Sequence, residues 1–148
     1  MKKEQRKKLL VNRIGVKFSF SKTGHLLVKG KINGKSGVFI IDTGAAISCV
    51  GMYYAPYFQL RMRKSRFEIR AITDVPMPTE ISKRNVFELG KWRIDQASFL
   101  TIDLDTVNQT FSTVNQEAVQ GIIGNDIFKK YKAVIDYENK FIFLIIKK

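Results

Sequence analysis

An unbroken apolar run, Val38-Phe39-Ile40-Ile41, ends directly on Asp42-Thr43-Gly44, and this junction constrains the fold more than any other stretch. Four consecutive apolar residues suit a strand buried on both faces rather than a half-solvated one. The chain before it reads as strands too. Ile14 to Phe20 alternates, with Val16, Phe18 and Phe20 on one side and Lys17 and Ser19 on the other. Ser21-Lys22-Thr23-Gly24 is a turn, His25 to Ile32 a return strand, and Asn33-Gly34 a hairpin signal because both residues tolerate positive φ.

Further on, 52–60 is aromatic and irregular, and Arg66 to Ile72 reads as a strand. Asp74-Val75-Pro76-Met77-Pro78 interrupts it, since proline donates nothing to a ladder. Ile81 to Leu89 resumes as a strand, Gly90-Lys91 turns, and Trp92 to Leu104 contains two short strand patterns. The polar stretch Thr106 to Val119 is expected to be a loop. A short helix follows the Gly-flanked step Gly121 to Gly124, from about Asn125 to Tyr131, with Asn125 or Asp126 as its cap. The close is a hairpin, Ala133 to Tyr137 and Phe141 to Ile146, turning at Glu138-Asn139-Lys140. The expected fold is all-β with one short C-terminal helix, comprising a basic tail at 1–13 and one domain at 14–148.

Composition narrows the chemistry. The 148 residues include one cysteine and one histidine, which excludes an internal disulfide and a zinc site of Cys and His ligands. Cys49 lies in an apolar run and reads as an inert buried thiol, His25 as a surface turn residue. No metal or cofactor is expected. No apolar run approaches the roughly 20 residues of a membrane helix, and Leu9-Leu10-Val11 is too short for a signal peptide. The chain as written is expected in the cytoplasm, or secreted or periplasmic if a leader has been removed.

A net charge of +13 is concentrated in Lys2, Lys3, Arg6, Lys7, Lys8 and Arg13, and again in Arg61, Arg63, Lys64, Arg66 and Arg70. A solvated tail and a charged strand edge account for this, since edge lysines discourage aggregation. Nucleic acid is therefore not the expected partner. The competing reading is a basic β-barrel that stacks bases on Tyr53, Tyr54, Tyr57 and Phe58.

The stretch Phe39-Ile40-Ile41-Asp42-Thr43-Gly44-Ala45 resembles the active-site loop of aspartic proteases. About 80 residues on, Gly121-Ile122-Ile123-Gly124-Asn125-Asp126-Ile127-Phe128 resembles their second signature. Together with Lys129 to Tyr137 and the lead-in Gly24 to Lys35, the likeness is to single-domain, retropepsin-like proteases of bacterial type and covers residues 14 to 148.

That resemblance implies a closed β-barrel of the acid-protease kind and an aspartic endopeptidase acting on a peptide or protein substrate. Two carboxylates about 3 Å apart share one proton; one activates water while the other hydrogen-bonds to the substrate carbonyl. Only one Asp-Thr-Gly is present, so the resemblance implies a homodimer with an Asp42/Asp42′ pair. Asp42, Thr43 and Gly44 would be catalytic: Asp42 the acid/base, Thr43 locking the paired loops, Gly44 allowing close substrate approach. Ala45, Ala46, Thr73, Asp74 and Val75 would contact substrate, the last three in a flap between Arg66 and Leu89 with its tip at Thr73 to Thr79. Ile123 and Gly124 would support the loop from behind.

The match has departures. Retroviral enzymes carry an Asp shortly after this motif, paired to a helix arginine, where this chain has Ala46, Ile47 and Asn125. Prolines 76 and 78 replace a glycine-rich flap tip. A retropepsin-like module that dimerises without catalysis is the other reading of the same fold. The apolar strand Phe141 to Ile146 is expected to form an edge in need of a partner.

Overall fold

The computed structural model describes residues 1–70 and 76–146, of which 66–70 and 76–78 are described by backbone only. The Asn33-Gly34 hairpin builds first. Asn33 (φ 51°) and Gly34 (φ 80°) join β3 (Leu26–Ile32) to β4 (Lys35–Ile41) with Ile32 opposite Lys35, the two-residue connection that positive φ at both centres permits. Both faces of β4 are covered, as its apolar run requires. Phe39 and Ile41 enter the main core, while Ile40 and Val38 pack in a second cluster with Leu27, Phe111 and Val119.

The remaining barrel strands are β5 (Cys49–Gly51), β7 (Pro76–Leu89), β8 (Trp92–Ile102) and β9 (Gly121–Ile123). The order β3-β4-β9-β5-β8-β7 closes on itself where Lys31 and Ile32 pair with Glu88 and Phe87, giving a six-stranded barrel. The short β2 (Ser19–Phe20) extends the sheet beside β3, and β6 (Arg63–Arg70) extends it beside β7. Fully buried Phe87 is the hub of the core. Its ring meets Phe39, Trp92 and Phe99 edge-on at 5.5, 6.0 and 5.2 Å, the favoured geometry for aromatic quadrupoles.

A second sheet of three strands sits against this core, in the order β1 (Arg13–Lys17), β11 (Phe141–Ile145), β10 (Val134–Asp136). Here the structure corrects an expectation: β11 is the central strand, hydrogen-bonded on both sides within its own chain, not an edge awaiting a partner. Its alternation explains the placement, because Ile142 and Leu144 are wholly buried in the main core. The Trp92 indole N–H donates to the Ile145 carbonyl at 3.1 Å and ties the two sheets together.

Four other expectations change. The basic N-terminus carries a helix, α1 (Lys3–Leu10), with no buried residue; Arg6 meets Asp136 at 2.8 Å. The carboxyl of Asp136 is held below its ordinary range, first by the Asn139 side chain and backbone N–H and then by Arg6. Residues 106–119 are not all loop, because α2 (Asp105–Thr113) forms there. Its composition of Thr, Asn and Ser is a poor helix signal, but Val107 and Phe111 lie four apart and seal the second cluster. Trp92 to Ile102 is one strand and not two, its irregular pairing with β7 absorbed by bulges at Ser82/Asn85 and Asn85/Phe87. Pro76 and Pro78 lie within β7, opposite Arg70 and Glu68 of β6, and do not interrupt the pairing there; the rest of the expected flap tip, 73–75, lies outside the described residues. Among the described residues, no helix is long and apolar enough to cross a membrane.

The packing of α2 is testable. Phe111→Ala should cost about 3–5 kcal/mol in chemical denaturation, the usual loss for a buried phenylalanine. A loss below about 1 kcal/mol would mean that α2 does not seal the Leu27/Ile40 cluster.

Candidate active site

The Asp42 loop is built by a strand that passes beneath it. β4 and β5 carry the two ends of residues 42–48, and β9 runs between them, parallel to β4 and antiparallel to β5. The loop must therefore step over the end of β9, and it is stitched there. The Asp42 amide donates to the Ile123 carbonyl at 3.0 Å, extending the β4–β9 ladder to the aspartate itself. Ile123 is fully buried. At Gly124 the two backbones come so close that a Cβ would stand 2.7 Å from the Ala45 carbonyl oxygen, hence the glycine.

The helix that follows, α3 (Asn125–Lys130), holds the loop from the other side. Asn125 and Asp126 were expected to cap this helix. Gly124 occupies the cap position instead, with no side-chain cap bond. Both polar side chains turn to the loop: Asn125 Nδ2 donates to the Thr43 carbonyl at 2.7 Å, and Asp126 Oδ1 accepts from the Ser48 amide and hydroxyl at 2.9 and 2.7 Å. Ser48 Oγ in turn accepts the Gly124 amide at 2.9 Å. The amides of Asn125 and Asp126 donate to the carbonyls of Ala45 and Ala46 at 2.8 and 3.1 Å. Every strut is a short, local bond between loop and helix.

The consequence is an aspartate that is positioned but not consumed. Asp42 is half-buried, and Thr43, Gly44 and Ala46 are exposed. One carboxylate oxygen of Asp42 accepts the Gly44 amide at 2.8 Å, which fixes the plane of the group. A Cβ at Gly44 would lie 3.1 Å from that same oxygen, so the glycine leaves the carboxylate its space. Such a group can exchange protons with a bound water; among the described residues no second carboxylate is hydrogen-bonded to it.

The bracing roles of two residues, Ser48 and Asp126, were not read from the sequence. Ser48 lies in the run Ile47 to Val50, and a wholly buried serine among apolar neighbours is the only signal it offers. Asp126 reads as a helix cap until the loop is seen opposite it. Thr73, Asp74 and Val75, expected to contact substrate, lie outside the described residues. His25 is exposed, bonded through Nδ1 to Thr23 at 2.7 Å. Cys49 is buried, and burial pushes its thiol up to about 12, so it carries no thiolate near neutral pH. A groove of ≈ 950 Å³ between β1, β3 and β4 includes no residue of the 42–47 loop.

A family model described as aspartyl protease matches residues 28–127, which include the Asp42 loop, β6, β7 and all but the last residue of the second signature. The chain belongs to the aspartyl protease family. Solved structures place this member among the retropepsin-like folds. A retropepsin-like aspartic protease from Rickettsia conorii aligns with TM-score 0.57 and 17% identity, covering 89% of this chain and 87% of that one. The retroviral protease-like domain of Ddi1 from Leishmania major gives 0.54 and 20%, covering 81% and 87%. The EIAV protease, complexed with the inhibitor HBY-793, gives 0.56 and 17%, covering 80% and 98%. No curated protein sequence matches the chain.

Two outcomes follow for this aspartyl protease loop. Ser48→Ala strands the buried Gly124 amide and removes a donor from Asp126, and should cost about 1–3 kcal/mol in denaturant titrations; no loss would mean that the strut is idle. Because the folded-state thiol pKa of Cys49 is raised, the native state retains a proton that the unfolded chain gives up. Stability should fall as pH rises from about 9 toward 12, and Cys49→Ala should lack that part of the decline.

Proposed function

We propose that the chain is an aspartic endopeptidase in which Asp42 of two copies forms the catalytic pair. The observation that carries this reading is the state of Asp42: a half-buried carboxylate oriented by the Gly44 amide, on a loop braced from behind by Ile123 and Asn125, with no further hydrogen bond to its oxygens among the described residues. A purely structural aspartate at a strand end would spend its oxygens on the protein, as Asp126 does.

The chemistry needs a second carboxylate. Two such groups about 3 Å apart hold one proton between them and titrate as a pair. The ionised member draws a proton from a water lying between them, and the water oxygen attacks the peptide carbonyl. The protonated member hydrogen-bonds to the carbonyl oxygen as it gains charge, and collapse passes a proton to the departing amine. This chain supplies one Asp-Thr-Gly loop, so a second copy supplies the other. The exposed Thr43 and Gly44 are then free to meet the partner loop across a twofold axis. Ala45 and Ala46 are read as substrate contacts, and Thr73, Asp74 and Val75 as further contacts from the segment that joins β6 to β7. Ile123 and Gly124 act as support: the first accepts the Asp42 amide, the second lets the backbone of Ala45 approach.

Asp42→Asn should lower peptide-library cleavage at mildly acidic pH by at least about 10²–10⁴-fold, the usual share of an acid/base group. The variant should keep the sedimentation coefficient of the wild type, which should be that of a dimer. Cleavage that survives the substitution, or an active monomer, would sink the reading.

A further inference from the structure

Away from the Asp42 loop, residues on both sides of the flap-like hairpin converge on a cleft of ≈ 850 Å³. Arg61 and Arg63 approach it along the segment entering β6, and Lys83 and Arg84 along β7. Only Arg61 and Arg63 belong to the basic block visible in the sequence. The other two arrive because Arg63 pairs with Ile81, and because β7 bulges between Ser82 and Asn85, with Arg84 at φ 62°. A bulge re-aims the side chains of its strand, here toward the strand's neighbour.

The cleft has a rigid floor. Asn33 Nδ2 donates to Asn85 Oδ1 and to the Phe58 carbonyl at 3.0 and 2.9 Å, and its Oδ1 accepts the Val86 amide at 3.0 Å. Asn85 Nδ2 donates to Ser82 Oγ and to the Ala97 carbonyl at 3.1 and 3.2 Å. The amide hydrogens of both asparagines are thus spent inside the protein, and the cations above them are not. Among the described residues no carboxylate lines the cleft, and none forms an ion pair with Arg61, Arg63, Lys83 or Arg84. Four like charges gathered in one concavity repel one another, and the focused field draws anions.

We propose that this cleft binds an oligophosphate chain, presented either as free polyphosphate or as the backbone of a single-stranded nucleic acid. The charge balance favours phosphate over a lone carboxylate, which would neutralise one of the four cations. Three of the four are arginines, whose planar forks engage phosphate oxygens in pairs. An occupant touching Arg61, Arg63, Lys83 and Arg84 together bridges the roots of β6 and β7, and therefore of the hairpin between them.

The test compares two variants that each remove four charges. Arg61→Gln/Arg63→Gln/Lys83→Gln/Arg84→Asn empties the cleft of cations; asparagine is chosen at 84 because it tolerates positive φ. Lys2→Gln/Lys3→Gln/Lys7→Gln/Lys8→Gln neutralises α1 instead. All eight side chains are exposed, so both chains should fold, as thermal denaturation will report. Binding is read by calorimetry with tripolyphosphate and by fluorescence anisotropy with an oligo-dT strand. The cleft variant should lose at least about tenfold in affinity and the α1 variant much less, while the wild-type slope of log affinity against log salt for the strand should be about −3 for four contacts. Binding of tripolyphosphate alone, or of the strand alone, supports the cleft and identifies the source of the phosphates. No binding of either probe, equal weakening in both variants, or equal binding of oligoglutamate would overturn the proposal.

Discussion

A single backbone hydrogen bond, from the Asp42 amide to the Ile123 carbonyl, marks the place on which the rest of the architecture depends. It exists because β9 is threaded between β4 and β5. A three-residue strand has little stability of its own; it is held by neighbours on both sides and by core packing on both faces, with Ile123 in the main cluster and Ile122 against the second. In exchange it supplies the floor over which the aspartate loop must step. The barrel and the candidate site are therefore one construction. The loop sends only Ile47, which packs against Cys49, Ile81 and Leu100, and the buried Ser48 inward; backbone carbonyls and amides carry much of the remaining attachment.

This also explains the division of labour between two neighbouring acids. Asp126 faces a buried serine and takes both of its hydrogens, so its charge is spent on architecture. Among the described residues Asp42 accepts a single amide, from within its own loop, and keeps the remainder of its hydrogen-bonding capacity. Two aspartates at the ends of two adjacent elements, β4 and α3, are sorted into support and chemistry by what lies opposite each of them.

Much of this was legible before the structure. The Asn33-Gly34 turn, the doubly buried Val38 to Ile41 strand and the Gly-flanked step at 121–124 depend on local chemistry: positive φ, apolar content and close backbone approach. Where reading failed, the deciding partner was distant in sequence. Nothing local distinguishes Asp126 as a cap from Asp126 as a strut, because Ser48 is 78 residues away. The helix at Asp105–Thr113 rests on Phe111 meeting Leu27 and Ile40, which no helix propensity foretells. Likewise the apolar strand at 141–145 reads as an exposed edge until Arg13 to Lys17 is found beside it. The basic block near Arg61 was visible, but the two cations that complete its cleft come through a bulge, and bulges leave no reliable trace in composition.

The pairing of β1 with β11 carries a consequence for how the molecule comes into being. Arg13 lies opposite Ile145, so the second sheet joins nearly the first ordered strand to the last. Until residue 145 is in place, β1 has no strand to pair with and the Trp92 indole lacks its acceptor. Local hairpins form early and cheaply, whereas closure over such a separation is entropically late. The second sheet should therefore close late, once the segment up to residue 145 is available to pair with β1, and a chain that lacks this segment leaves the apolar side of β1 without its strand partner.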